Sequence, residues 1–319
     1  MLVTGGTGFL GANLLPALLR RRASVHVLSR GQERSERLDD VRREIQVEAA
    51  DLSDAASVRQ AVERVRPDLV FHLAVQRDVS TPAARAAALS TNVLGTAHLL
   101  EAVRLAGCHR LVALGSSLEY GPRDEPARES DPLAPASFYG ATKAAATLLL
   151  QQAVRADRLP IVVLRPYLLY GPWDAAHHLV PTAIRTALGG NAGGMPLTGP
   201  GLRRDWIFVE DVVEACLHAA TADGVVGGVF NVATGRQWSN EEVVEAVEAV
   251  TGRPVRVRVG EFPARPTDRA CWVADVSKAR RVLGWEPRHT LHEGLLKTLE
   301  WITRGDPRFA ATGLRGEPA

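Results

Sequence analysis

Residues 2–11, LVTGGTGFLG, constrain the fold more than any other stretch of the chain. A short run ending in β-branched residues enters a loop with Gly5, Gly8 and Gly11 at three-residue spacing, and the helix-length segment FLGANLLPALLRRR follows. Glycines so spaced give a tight turn, let the backbone approach a pyrophosphate closely, and allow the helix to pack on the sheet. The helix N-terminus then stabilises the phosphate charge. The spacing alone also fits an ordinary turn. Its place between a strand and a helix is what points to a dinucleotide.

The same alternation continues for two thirds of the chain. SVHVLS at 24–29, IQVEAADL at 45–52, DLVFHLA at 68–74, RLVALGSS at 110–117 and PIVVLRP at 160–166 read as strands. Between them, AASVRQAVERV, TNVLGTAHLLEAVRLAG and YGATKAAATLLLQQAVRAD carry apolar residues at helical spacing. Strands alternating with helices predict an α/β fold, a doubly wound parallel sheet covered on both faces. Pro16 falls inside the first helix, where a distortion is expected. After about residue 170 the pattern becomes a smaller mixed region. It holds a Gly/Pro-rich loop at 189–201, a strand at 229–234, and the helix NEEVVEAVEAVTG capped by Ser239 or Asn240. The expected division is a dinucleotide domain over 1–168 with a returning segment near 205–235. A smaller α/β substrate domain takes 169–204 and 236–303, and a loose tail runs over 304–319.

Composition narrows the function classes. A net charge of +2 with interspersed signs gives no nucleic-acid footprint. No apolar stretch approaches the about 20 residues of a membrane span, and the N-terminus lacks the pattern of a signal peptide. Cys108, Cys216 and Cys271 are odd in number and far apart, which suits reduced thiols in a cytoplasmic protein.

The end of the second strand bears on cofactor choice. An acid about 20 residues after the glycines would bind a ribose 2′-hydroxyl, but LSRG supplies Ser29 and Arg30 instead. A hydroxyl and a cation suit a 2′-phosphate, so NADP(H) is favoured over NAD(H), unless Arg30 is one more surface arginine. Asp51 either contacts the adenine or simply ends the third strand. The candidate cofactor set is Gly5, Gly8, Phe9, Leu10, Ser29, Arg30, Asp51, Leu52, Leu73, Ala74 and Asn92, together with Tyr139 and Lys143.

Those last two stand four residues apart in SFYGATK, so both point to one face of a helix. The chain holds three lysines, Lys143, Lys278 and Lys297, and writes nearly every other cation as arginine. A compact ammonium beside a phenol favours the phenolate and makes tyrosine a usable acid or base. Upstream, GSSLEYG puts Ser116 and Ser117 at the carboxyl edge of the sheet, where a hydroxyl can polarise a carbonyl or act as a turn residue.

Taken together, TGGTGFLG, STNVLGT, GSSLEYG, YGATK, RPYLLYGP, RRDWIFVEDVVEA and RPTDRACWVADVSKARRVLGWEP resemble the extended short-chain dehydrogenase/reductase family, over residues 2 to about 300. The resemblance implies a Rossmann domain and a nucleotide-sugar domain, with Ser116, Tyr139 and Lys143 as the catalytic trio. Arg204 and Arg265 are implied contacts of the nucleotide diphosphate. A homodimer through the helices at 92–106 and 140–155 is also implied. Dehydratases of this family carry an acidic pair where this chain has Ser117 and Leu118, which argues against dehydration. Leu118 also replaces the cysteine of GDP-fucose synthases, while His178 stands where their histidine falls, as a sugar contact or a surface residue. The pattern is most similar to GDP-4-keto-6-deoxymannose reductases. That implies reduction of C4 of a nucleotide-linked 4-keto-6-deoxyhexose by NADPH. The alternative is a 4-epimerase with tightly bound NAD, and a silent NADP-binding regulator is disfavoured because Tyr139 and Lys143 are both present. Ser117 is expected to contact the substrate, and Arg77, Asp78 and the 173–178 loop are expected to set sugar selectivity.

Overall fold

The computed structural model describes residues 1–31, 35–190, 193–262 and 271–304. Its first half builds β1 (Leu2–Thr4), α1 (Phe9–Arg20), β2 (Val25–Ser29), β3 (Ile45–Ala49), α2 (Ala55–Val65), β4 (Leu69–His72), α3 (Pro82–Leu89), α4 (Gly95–Ala106), β5 (Arg110–Leu114), α5 (Phe138–Asp157) and β6 (Ile161–Pro166). The second half adds β7 (Leu168–Tyr170), α6 (Leu179–Arg185), β8 (Met195–Thr198), β9 (Arg203–Phe208), α7 (Val209–Thr221), β10 (Val229–Val232), β11 (Gln237–Ser239), α8 (Asn240–Thr251), β12 (Val257–Phe262) and α9 (Leu291–Thr303).

The large sheet has seven strands in the order β10-β6-β5-β4-β1-β2-β3, every pair parallel. The expected doubly wound arrangement is therefore what the chain forms. Successive residues of each strand face opposite sides, so Val3, Phe71 and Val112 join one core with Leu14 and Leu18 of α1 and Val212 and Cys216 of α7. Leu2, Val70 and Leu111 join the other with α2, α4 and α5, through Val58, Leu99 and Leu150. A third core gathers Tyr170, Ile184, Met195, Phe208, Val247 and Leu295 around a three-stranded sheet, β11-β9-β7.

Several elements differ from the sequence reading. Helix α1 runs unbroken through Pro16. The helix expected from Thr91 begins at Pro82 as α3, capped by Thr81, and passes through a wide π turn at Ser90–Leu94 before α4. PAARAAAL has almost no apolar periodicity, so its signal lies only in the Thr-Pro start. Ser239, not Asn240, caps α8, in a reciprocal box with Glu242. Arg265 and the tail after Arg304 lie outside the described residues.

Asp205 ties the small sheet to the large one. It is fully buried on β9 and accepts from the Thr234 amide at 2.8 Å, the Thr234 hydroxyl at 2.6 Å and the Gly235 amide at 2.9 Å, just past the end of β10. Asp205→Ala removes the acceptor of these bonds, although the Thr234 hydroxyl keeps its bond to the Arg236 carbonyl at 3.0 Å, and each hydrogen bond to a charged group is worth about 1.5–3 kcal/mol. We expect urea unfolding of this variant to show a loss of about 3 kcal/mol, with the dichroism spectrum of the folded state unchanged.

Candidate active site

β1 lies between β2 and β4, and its carboxyl end is where chain connections depart in opposite directions, the usual binding crevice of such sheets. Gly5, at φ +70°, closes that end: a Cβ there would lie 2.5 Å from the Ala74 amide nitrogen. Two clefts share this glycine. One, of about 320 Å³, is lined by Thr7, Ser29, Arg30, Asp51, Leu52 and Ala74. The other, of about 380 Å³, is lined by Phe9, Leu10, Leu73, Arg77, Ser116, Ser117, Leu118, Tyr139, Lys143, His178, Arg204 and Trp272.

The first cleft has the chemistry of a dinucleotide's adenosine end. Gly8 caps α1 in extended backbone, leaving the N-terminus of that helix at the loop. Asp51 accepts from the amide and the hydroxyl of Ser53, both at 2.8 Å, and these bonds and the Arg30 charge hold its carboxyl below the usual range. Arg37, half-buried in the turn after β2, donates to the Thr7 carbonyl at 3.3 Å and the Trp173 carbonyl at 3.0 Å. Asn13 of α1 donates to the Pro172 carbonyl at 2.9 Å. The glycine loop is thereby clasped to the 172–174 loop of the second cleft.

In the second cleft, α5 starts almost against the turn that follows β5. Ser137 caps it, accepting from the Gly140 amide at 3.0 Å. Gly140 is required here, because a Cβ would meet the Leu118 carbonyl at 2.5 Å. That close approach brings Tyr139 beside Ser116, whose hydroxyl favours the phenolate. Ser116 itself caps the 3₁₀ turn Ser117–Glu119, accepting from the Leu118 amide at 3.2 Å.

Burial pushes the Tyr139 phenol up from its ordinary value, and the Arg77 charge acts against it. Lys143 donates to the Leu114 carbonyl instead and is 6% exposed, and burial pushes it down to about 8. His72 lies between Thr4 at 2.7 Å and Thr96 at 3.0 Å, and burial lowers it to about 3, so it stays neutral beside Lys143.

The remaining expected residues divide. Ser117 reaches the cleft but accepts from the Trp272 indole at 3.1 Å. His178 is 2.7 Å from the buried Asp174. Arg204 lies over the Trp272 ring at 5.8 Å from its centroid. Asn92 is 2% exposed, bonded to both the amide and carbonyl of Gln76 and to Thr142, and it braces the loop after β4 and α5 without lining either cleft. Asp174 falls within the expected 173–178 loop, four residues before His178. Trp272 and Glu119 were missed, and nothing in the sequence marks Trp272. A wider groove of about 740 Å³ near Arg123, Arg128 and Arg280 holds no such convergence. Those arginines pair with Asp131, Asp275 and Glu286. Among the described residues there is no group of side chains fit to hold a metal ion.

Residues 1–233 match the NAD dependent epimerase/dehydratase family. The dTDP-glucose 4,6-dehydratase of Neisseria meningitidis serogroup B is 32% identical, over 94% of this chain and 92% of its own. The UDP-glucose 4-epimerase of Mycolicibacterium smegmatis is 34% identical, over 94% and 97%. Among solved structures, the UDP-glucose 4-epimerase of Thermotoga maritima with UDP-glucose superposes at a TM-score of 0.86 and 28% identity, covering 95% of this chain and 98% of that one. The Thermus thermophilus UDP-glucose 4-epimerase with NAD does so at 0.83 and 31%, covering 94% and 97%. With a parallel nucleotide-binding sheet, a glycine cradle and a serine–tyrosine–lysine cleft in place, the chain belongs to the NAD dependent epimerase/dehydratase family, whose members in these comparisons act on nucleotide sugars.

Proposed function

We propose that the protein reduces the C4 keto group of a nucleotide-linked 4-keto-6-deoxyhexose with NADPH. The observation that carries this reading is the end of β2, where Ser29 and Arg30 line the cofactor cleft and no carboxylate takes their place. A cation and a hydroxyl there favour a 2′-phosphate. Ser117 and Leu118 add support, since neither can protonate a departing hydroxyl, as dehydration of the hexose requires.

When bound, the nicotinamide supplies the hydride that C4 accepts. Tyr139 gives its phenolic proton to the emerging alkoxide, and Ser116 hydrogen-bonds the carbonyl oxygen and orients it. Lys143 holds a ribose hydroxyl and keeps positive charge near the phenolate that remains. Arg77, His178 and Arg204 face the sugar and diphosphate, and Arg265 is proposed to join them. In this reading residues 1–168 with the 205–235 return bind the dinucleotide, and 169–204 with 236–303 bind the nucleotide sugar. The protein works in the cytoplasm, consistent with three free thiols and with described helices too short or too polar to cross a membrane.

The second reading is a 4-epimerase with tightly bound NAD, favoured by the UDP-glucose 4-epimerases among the relatives. It uses the same trio. Absorbance at 340 nm decides between them. We expect NADPH oxidation with a dTDP- or GDP-4-keto-6-deoxyhexose; co-purified NAD and interconversion of UDP-hexoses would instead establish the epimerase. Tyr139→Phe should lower kcat by about 10²–10⁴-fold with little change in NADPH binding. Arg30→Ala should weaken NADPH about tenfold, a loss of roughly 1.4 kcal/mol, while leaving NADH unaffected by fluorescence titration.

A second copy of the chain is proposed to cover the outer face of α4 and α5. Leu94 just before α4, Leu105 near its end and Leu148 of α5 are 53%, 54% and 53% exposed. Leu148→Arg should convert a dimer to a monomer in analytical ultracentrifugation; a wild-type monomer would remove the proposal.

A further inference from the structure

Glu119 has no solvent exposure and sits one turn beyond Ser116, behind the cleft. Its Oε1 accepts from the Ser116 amide at 2.7 Å and the Thr147 hydroxyl at 3.1 Å, and its Oε2 accepts from Arg165 Nε at 2.7 Å. Two of these three partners are N–H groups that cannot accept a proton, so the side chain is set up as a carboxylate. Arg165, on β6, also donates to the Tyr120 hydroxyl at 2.9 Å, and Tyr120 donates to Asn231 of β10 at 2.7 Å. Asn231 in turn donates to the Ala127 and Asp275 carbonyls through its side chain and to the Glu129 carboxylate through its backbone amide.

This chain of bonds has a direction. Tyr139, Lys143 and Thr147 follow at i, i+4 and i+8 on one face of α5, and the last of them touches Glu119. We propose that Glu119 is a positioning residue for the reacting group: it fixes the Ser116 amide and serves as the buried counter-charge that keeps the Lys143 side chain an ammonium. The inference rests on the proposed reading of the cleft only for its catalytic consequence.

The charged and titratable groups facing it are few. Arg165 comes from β6, Lys143 and Tyr139 from α5, and Tyr120 from its own turn. His72 of β4, beside Lys143, is neutral, and Glu129 reaches the network only through Asn231. Burial lowers Lys143, and Glu119 is the group acting against it. Glu119 likewise raises Tyr139, with burial the larger cause. The sign is the same for both: removing the anion moves both titrations to lower pH. Lys143 loses its proton as pH rises through about 8, and without Glu119 it loses it sooner.

The three lysines make the test direct. Protein labelled with ¹³C-lysine gives three sets of side-chain signals, assigned with K278R and K297R, and the Cε shift is followed against pH. In E119Q the Lys143 midpoint should fall by roughly one pH unit while Lys278 and Lys297 stay where they are. The basic limb of the NADPH oxidation profile should move the same way. An unmoved Lys143 midpoint overturns the proposal and leaves Glu119 as a structural partner of Arg165. Because the titration needs no substrate, absence of reductase activity would refute the functional reading and not this one. If E119Q does not fold, E119Q/R165Q removes both charges of the buried pair; losing the Arg165 cation acts the other way, so the fall should be smaller but of the same sign, and no fall there overturns the proposal.

Discussion

The Glu119–Arg165 ion pair is the interaction on which the site's architecture depends. Arg165 is 2% exposed and Glu119 0%, and either charge alone in that interior would cost several kcal/mol. Their 2.7 Å contact resolves the problem only because Ser116, Thr147 and Tyr120 take up further bonding positions. The pair joins β5 to β6 just beyond the reach of the sheet ladder, and Tyr120 and Asn231 carry the link to β10. A parallel sheet places all its strand ends on one edge. Here that edge is cross-braced by side chains, and the brace determines where Ser116 sits.

The two clefts follow from the same edge. Gly5 lines both, one opening toward Ser29 and Arg30 and the other toward Tyr139 and Arg204. Between them stand α1 and α5. The first offers an N-terminus to phosphate. The second offers a tyrosine and a lysine one turn apart, brought close to β5 because residue 140 has no side chain.

Much of this was legible in residue order. Strand–helix alternation specified the parallel sheet, since β1 to β6 and their helices are separated by clear turn residues. The trio was legible because lysine is so scarce that Lys143 stands out. What was not legible is telling. Glu119 carries no local sign of its role, and only the fold reveals that its partners lie 28 and 46 residues away, at Thr147 and Arg165. Asn92 spends both hydrogens of its side-chain amide on Gln76 and Thr142, partners that lie far from it in sequence. The Tyr-x-x-x-Lys spacing gave no sign that Lys143 bonds the Leu114 carbonyl or that the Arg77 charge acts on Tyr139. In each case long-range packing decided what a side chain touches, and local pattern carries no record of it.

The clasp made by Asn13 and Arg37 has a mechanical meaning. Trp173 sits at φ +70° with its carbonyl held by Arg37, which also grips Thr7 in the glycine loop. One guanidinium thus joins the glycine loop to the loop that bears Asp174 and His178, so the two clefts are walls of one connected frame and not separate surfaces.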